Sequence, residues 1–135
     1  MENYWKLTVP PDELRAMSSL ALAHMGDAVY EILVRGWLCS QGRGTCGNLH
    51  RETVAMVRAE AQAEAVQQIL PLLTEEEAAV YRRGRNAQVH SIPKNASRSQ
   101  YAKATGLEAL LGWLYLQGRL ERINELFAAI LDEKG

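Results

Sequence analysis

Two carboxylates lie inside apolar segments, where acidic side chains are unusual. Asp27 stands within the run 22–29, and Glu108 stands within the run 105–112. A carboxylate at the edge of a packing face needs a partner, because an unpaired buried charge is costly. The residues four positions away carry no positive charge: Ala23, Glu31, Ala104 and Gly112. Unless a distant arginine neutralises each acid, both can serve one hard divalent cation, which prefers oxygen ligands.

Glycines near both acids favour a shared site. Gly26 precedes Asp27, and Gly106 and Gly112 flank Glu108. A glycine costs ~1 kcal/mol inside a helix, so three of them indicate a close approach of two helix backbones. Such an approach would bring the two carboxylates to opposite sides of one site. The alternative is that both acids are ordinary boundary residues and that the glycines only permit tight packing.

Other patterns of catalytic or metal-binding residues are weak. His24, His50 and His90 lack the paired spacing that is typical of zinc ligands. The sequence contains neither a phosphate-binding glycine loop nor the nucleophile elbow of serine hydrolases. Glu31, one helical turn after Asp27, is either an additional metal ligand or a solvated side chain.

Composition is that of an ordinary folded domain. The 135 residues are 47% hydrophobic and 23% charged, which argues against intrinsic disorder. The sequence has no apolar run near the ~20 residues of a membrane span, so we expect no membrane partner. Two cysteines, Cys39 and Cys46, are too few for a disulfide scaffold. We therefore expect free thiols and a cytoplasmic location.

The charges are distributed unevenly along a chain whose net charge is only −1. The segment 78–107 contains no Asp or Glu and carries +6, so the remainder carries −7. The basic residues of this segment are Arg82, Arg83, Arg85, Lys94, Arg98 and Lys103. A local basic surface can bind phosphates even when the whole protein is nearly neutral. The alternative is a solvated basic surface with no partner.

Apolar residues recur at spacings of three and four, and no strand or hairpin pattern is present. This periodicity predicts an all-α fold, a single-domain bundle of five to six helices. The predicted helices cover about 12–18, 19–40, 48–70, 74–86, 99–117 and 120–132. We expect one domain over residues 1–135, with an N-terminal extension at 1–17, a core at about 18–118 and a C-terminal helix at about 119–133.

The segments around the two acids resemble a known family. Residues 22–31, Leu-Ala-His-Met-Gly-Asp-Ala-Val-Tyr-Glu, resemble the signature helix of ribonuclease III domains. Residues 105–112, Thr-Gly-Leu-Glu-Ala-Leu-Leu-Gly, resemble the second acidic helix of that family. The match is closest to the Mini-ribonuclease III subgroup, which lacks the C-terminal double-stranded-RNA-binding domain. Three shorter segments support the subgroup: 74–77, 83–87 and 93–95. The resemblance covers about residues 19–118.

The resemblance implies an endonuclease-domain fold and Mg²⁺-dependent hydrolysis of double-stranded RNA that leaves 5′ phosphates. In that role Asp27 and Glu108 are the catalytic residues and hold the Mg²⁺, with Mn²⁺ as an alternative cation. The subgroup further implies maturation of ribosomal RNA, from the 23S precursor. Ribonuclease III proper has two more acids, at the positions of Ala23 and Thr105 in this chain. With two carboxylates, the metal is expected to keep several waters.

The resemblance also implies a symmetric homodimer, with one site for each RNA strand. Candidate dimer-interface residues on the signature helix are His24, Met25 and Trp37. The alternative is that each of these side chains packs in the core of its own chain. Candidate RNA-binding residues are Arg51, Arg58, Arg82, Arg83, Arg85, Asn86, Lys94, Asn95 and Lys103. Each of these is alternatively a solvated side chain, because phosphate contacts are individually replaceable.

Two other functions remain open at this point. The same fold, with only two acids, is compatible with a non-catalytic module that binds structured RNA. A helical protein-interaction adaptor, whose basic segment contacts an acidic partner, is the second. Mg²⁺-dependent cleavage of an RNA duplex separates the enzyme from the module, and salt-dependent duplex binding separates both from the adaptor.

Overall fold

The computed structural model describes residues 1–42, 46–87 and 97–134. Within these residues the chain forms seven α-helices and two short 3₁₀ turns, with no strand. The helices are α1 (Pro11–Ala16), α2 (Ser19–Ser40), α3 (Cys46–Val57), α4 (Ala59–Ile69), α5 (Glu75–Arg85), α6 (Arg98–Tyr115) and α7 (Leu120–Lys134). The 3₁₀ turns are Tyr4–Lys6 and Leu70–Leu72. The predicted all-α class is confirmed.

Polar side chains begin three of these helices by satisfying backbone N–H groups. The Ser18 hydroxyl accepts a hydrogen bond from the N–H of Ala21 at the start of α2. Thr74 and Glu77 form a capping box at the start of α5. Ser97 and Gln100 form a second capping box at the start of α6. These bonds explain why helices begin where the sequence pattern predicts them.

The single helix predicted for residues 48–70 is wrong, because the structure divides it into α3 and α4. Arg58 between them has extended backbone angles, with φ −65° and ψ 160°. The break leaves the carbonyl of Val57 outside the helical ladder, and the Gln62 side chain donates a hydrogen bond to it at 2.7 Å. The apolar periodicity continues across the break, so the pattern gave no sign of it. The described residues therefore contain seven helices rather than the five or six that were predicted.

Helix α6 lies at the centre of the fold and contacts α2, α4, α5 and α7. Its leucines at positions 107, 110, 111 and 114 are at most 2% exposed. Burial of this kind is the main source of stability in a helical bundle. Among the described residues, no helix is both long and apolar enough to cross a membrane.

Helices α2 and α6 cross with their backbones in direct contact. A Cβ atom added to Gly26 would lie 1.6 Å from the carbonyl oxygen of Glu108, and one added to Gly112 would lie 2.0 Å from that of Leu22. Neither glycine leaves space for any side chain. The expected close approach of two helices through glycines is therefore present, and it joins the two segments that carry the acids.

A second glycine contact fixes α5 against α6. A Cβ atom on Gly84 would lie 2.7 Å from the Cβ of Ala109, and one on Gly106 would lie 2.7 Å from the ring of Tyr81. The other end of α5 is held by an ion pair with α7. Glu77 is fully buried and accepts two hydrogen bonds of 2.9 Å from Arg122. Helix α5, which carries three of the predicted RNA-binding arginines, is thus attached at both ends.

We expect Gly26→Ala and Gly112→Ala each to destabilise the protein by about 2 kcal/mol or more, because overpacking against rigid backbone forces the helices apart. Gly36→Ala is the matched control on α2, since nothing lies within 4 Å of its added Cβ. That variant should be neutral or more stable by up to ~1 kcal/mol. Urea denaturation monitored by circular dichroism measures all three. Equal stability of the Gly26 and Gly36 variants would contradict the close contact.

Candidate active site

The helix crossing brings the two predicted acids together. Asp27 follows the glycine that contacts the Glu108 backbone, and the two carboxyl groups are close enough to share a hydrogen bond. Asp27 is exposed, whereas Glu108 is half-buried. One acid therefore faces solvent, where a large substrate can reach it, and the other is anchored behind it.

The local environment makes Glu108 an unusual acid. Burial is the main cause that raises its pKa to about 8, and the negative charge of Asp27 and the shared hydrogen bond raise it further. A hydrogen bond from Gln62 opposes this increase. Glu108 therefore keeps its proton at neutral pH. A divalent cation that replaced the proton would relieve the repulsion between the two carboxylates.

A third polar residue belongs to this site and was missed by the sequence analysis. Gln62 on α4 is only 3% exposed, and its Nε2 donates a hydrogen bond to Oε2 of Glu108 at 3.2 Å. The only local signal was a polar side chain next to small residues that face the core. That signal does not identify a partner 46 positions away in the sequence.

The donor atoms fit a hard divalent cation. Two carboxylates converge, and Oε1 of Gln62 is buried without a hydrogen-bond partner among the described residues. Oxygen donors are those that Mg²⁺ and Mn²⁺ prefer. In the part of the chain that the structure describes, no group of three or more His, Cys, Asp or Glu residues could hold a metal. A cation here would therefore take few protein ligands and keep several waters.

The neighbouring polar positions do not enlarge the ligand set. Glu31 pairs with Arg35 at 3.4 Å, one turn away on the same helix. The two positions at which ribonuclease III proper has acids are buried, Ala23 and Thr105 each being 6% exposed. The Thr105 hydroxyl donates to the carbonyl of Tyr101 at 3.0 Å.

The predicted RNA-binding residues on α5 differ in availability. Arg82 and Arg83 are exposed, and Asn86 is exposed at the end of the helix. Arg85 is half-buried, with its guanidinium 5.8 Å from the centre of the Tyr81 ring. Arg82 and Arg83 are therefore the freest cations of this helix.

The other predicted RNA-binding residues lie on neighbouring elements. Lys103 is half-buried on α6, and Arg51 is exposed on α3, where it donates to the side chain of Asn48. Arg58 is exposed between α3 and α4 and lies 3.7 Å from a Glu60 carboxylate oxygen. Lys94 and Asn95 lie outside the described residues.

The three candidate dimer residues occupy different environments on α2. His24 is exposed, whereas Met25 and Trp37 are half-buried and pack against the core of the same chain. The exposed face of this helix carries two large apolar residues that the sequence analysis did not select. Leu20 is 41% exposed and Ile32 is 56% exposed. These two are better placed than Met25 and Trp37 to contact another molecule.

Comparison with known proteins identifies the family to which this chain belongs. The profile of the ribonuclease III domain matches residues 20–119. The chain belongs to the ribonuclease III family. It shares 45% identity with the Mini-ribonuclease 3 of Symbiobacterium thermophilum, over 93% of this chain and 91% of that protein. It is also 45% identical to the Mini-ribonuclease 3 of a Thermoanaerobacter species, over 98% of this chain and 94% of that protein.

The fold comparison agrees with the sequence comparison. The crystal structure of a Fusobacterium nucleatum protein superposes with a TM-score of 0.83 at 28% identity, covering 91% of this chain and 98% of that one. The resemblance to ribonuclease III, and specifically to its Mini subgroup, is thus confirmed. The protein is an endoribonuclease of the ribonuclease III type, and enzymes of this family generally use a divalent metal.

The raised pKa of Glu108 predicts how stability depends on pH in the metal-free protein. Between its ordinary value of 4.5 and about 8, the folded state holds a proton that the unfolded chain has lost. The free energy of unfolding should therefore fall as pH rises through this range. In EDTA, we expect wild type to lose at least about 1 kcal/mol relative to Glu108→Gln between pH 5 and pH 8.

Glu64→Gln is the control, because Glu64 is an exposed acid on α4, and this variant should follow the wild-type profile. Urea denaturation at each pH provides the measurement. A difference between wild type and Glu108→Gln that stays constant across the range would show that Glu108 titrates normally.

Proposed function

We propose that this endoribonuclease hydrolyses phosphodiester bonds in double-stranded RNA, with Mg²⁺ held by Asp27 and Glu108. The observation that carries the proposal is the convergence of these carboxyl groups at the glycine contact between α2 and α6. Four features support a cation site: two carboxyl groups side by side, an unfilled buried acceptor, oxygen donors only and access from solvent. We further propose ribosomal RNA precursors, specifically that of 23S RNA, as the substrate.

The chain's own residues prepare the site for this reaction. Gln62 and the helix contact hold Glu108 in place, while the exposed Asp27 faces the approaching phosphate. When bound, a divalent cation offsets charge on the phosphate oxygens and orients a water for attack. The water oxygen forms a bond to phosphorus as the bond between phosphorus and the ribose 3′ oxygen breaks; the water gives up a proton, and the leaving 3′ oxygen takes one up. The products are a 5′ phosphate and a 3′ hydroxyl, and no side chain becomes covalently attached.

The basic surface of α5 is proposed to hold the duplex. Proteins recognise A-form RNA mainly through phosphates and 2′-hydroxyls across the wide minor groove. Arg82 and Arg83 are exposed for such contacts, and Gly84 beside them attaches α5 to the helix that carries Glu108. Arg51, Arg58, Arg85, Asn86, Lys94, Asn95 and Lys103 are proposed as additional contacts.

A homodimer is proposed to place two sites across the duplex, one for each strand. Helix α2 carries two exposed apolar side chains, Leu20 near its start and Ile32 three turns later, and the exposed His24 lies between them in the sequence. Met25 and Trp37 are proposed to support this surface from the core side. Sedimentation analysis of Ile32→Glu tests the interface, and an unchanged dimer mass would exclude it.

Cleavage of a long RNA duplex tests the catalytic proposal. With Mg²⁺, we expect products bearing 5′ phosphates, and we expect none with EDTA. Asp27→Asn and Glu108→Gln should each lower the cleavage rate by at least about 10³-fold while duplex affinity stays within a few-fold, because each removes a charge needed for the cation. Glu31→Gln is the matched control, since its carboxylate is paired with Arg35.

Each alternative outcome has a distinct meaning. Duplex binding without cleavage by wild type would favour a non-catalytic RNA-binding module. Full turnover in the Asp27 or Glu108 variant would remove that residue from the metal site. A duplex of 23S precursor sequence cleaved no better than a random duplex would contradict the ribosomal substrate.

Replacing both exposed arginines of α5 tests the RNA surface. The Arg82→Ala, Arg83→Ala double variant should bind duplex about tenfold more weakly at 0.1 M salt, without a change in fold. Each lost phosphate contact should also reduce the slope of log affinity against log salt by about one. Filter binding in EDTA measures this without cleavage, with Lys6→Ala as the control. An unchanged salt slope would place the duplex elsewhere.

A further inference from the structure

The hydrogen bonds of Gln62 define its orientation. One Nε2 proton is donated to the carbonyl of Val57 at 2.7 Å, and Nε2 also donates to Oε2 of Glu108 at 3.2 Å. Rotating the amide by 180° would place Oε1 against two other oxygens, the carbonyl of Val57 and Oε2 of Glu108. The nitrogen must therefore face these two atoms. Both donor positions are then used. Oε1 remains buried and has no partner within the described residues.

A purely structural role does not account for all of these contacts. The carbonyl of Val57, which the break between α3 and α4 leaves without a helical partner, needs only one hydrogen bond from Gln62. The second donor instead reaches the half-buried acid of the candidate site. Oε1 of the same amide is a buried acceptor without a hydrogen bond, and this is costly, since buried polar atoms in native proteins nearly always have a hydrogen-bond partner.

We propose that Gln62 is a positioning residue for the divalent cation. This proposal rests on the metal dependence proposed above. Its amide nitrogen fixes the orientation of Glu108, and its amide oxygen accepts a hydrogen bond from water in the hydration shell of the cation. A site with only two carboxylates leaves much of the coordination to water, so a protein group that orients water adds selectivity to a sparse ligand set.

Two substitutions separate this role from support of the helix break. Gln62→Met keeps the length of the side chain but removes every polar atom. Gln62→Glu keeps acceptor oxygens but cannot donate to Val57. Both therefore lose the bond that closes the break, and only the methionine variant loses the acceptor. Gln117→Met is the matched control, because Nε2 of Gln117 also donates to a backbone carbonyl, that of Trp113 at 2.9 Å.

The probe is Mn²⁺ alone, titrated into each protein and followed by electron paramagnetic resonance, with thermal denaturation alongside. We expect Gln62→Met to bind Mn²⁺ about tenfold or more weakly than wild type, the usual effect of removing a group that orients metal ligands. Gln62→Glu should bind Mn²⁺ more tightly than Gln62→Met, because it keeps an acceptor oxygen, although both variants lose the hydrogen bonds that the amide nitrogen donates to Val57 and Glu108. Gln117→Met should be unchanged.

Cleavage provides a second readout. In Gln62→Met the Mg²⁺ concentration for half-maximal cleavage should rise by a similar factor, while the KM for duplex RNA stays close to that of wild type. If the methionine variant does not fold, Mn²⁺ should still broaden the side-chain amide resonance of Gln62 in wild type before that of Gln117.

Three results would overturn the proposal. The first is that Gln62→Met binds Mn²⁺ as tightly as wild type. The second is that the methionine and glutamate variants lose the same Mn²⁺ affinity, in proportion to their loss of stability. The third is broadening of the Gln117 amide before that of Gln62. If wild type itself cleaved duplex RNA without any divalent cation, the proposed metal site at Asp27 and Glu108 would fail first, which is distinguishable from a failure of Gln62 alone.

Discussion

The contact between two helix backbones at Gly26 and Gly112 is the constraint on which the rest of the structure depends. It leaves no space for a side chain between α2 and α6. Because α6 also contacts α4, α5 and α7, the distance between the two acids is set by the whole bundle rather than by a mobile loop. A site built on rigid elements in this way holds its geometry more precisely than one built on loops.

This rigidity has an electrostatic cost. A carboxyl group that is half-buried beside a second carboxyl group keeps its proton up to about pH 8. In the proposed site, a divalent cation that replaced this proton would offset the repulsion between the two carboxylates. The fully buried Glu77 shows the opposite solution within the same fold. Arg122 donates two hydrogen bonds to it, and its pKa is lowered. Glu77, paired with an arginine, stabilises the fold, whereas Asp27 and Glu108, for which the described residues show no ion pair, remain available for a ligand.

Local sequence signals predicted what depends on local physics. The apolar periodicity predicted helices over about 19–40 and 74–86, and the structure has α2 at Ser19–Ser40 and α5 at Glu75–Arg85. The break at Arg58 was not predictable from periodicity, because small residues keep their spacing across it. Gln62 was missed for a related reason, since its significance comes from an acid 46 positions away.

The glycines gave the information about tertiary structure that periodicity could not. A glycine inside an apolar helix indicates a neighbour that leaves no space for a side chain. Because both acids lie on helices with such glycines, the sequence predicted that these two helices contact each other. The dimer residues could not be predicted in this way. Apolar side chains at helical spacing face either the core or a partner, and only the structure separates the half-buried Trp37 from the exposed Ile32.

The small number of acids changes how such a site can work. Four carboxylates would bind a cation strongly without substrate, whereas two carboxylates leave most coordination positions to water or phosphate. In the proposed site, cation and RNA would complete the coordination together, so each would raise the affinity for the other by the same factor. The separation of basic and acidic residues supports this coupling. In the proposed complex, the +6 segment 78–107 would attract the phosphates, and Glu108 follows this segment directly in the sequence. A cation bound between the acids and the RNA would offset the repulsion between the carboxylates and the phosphates.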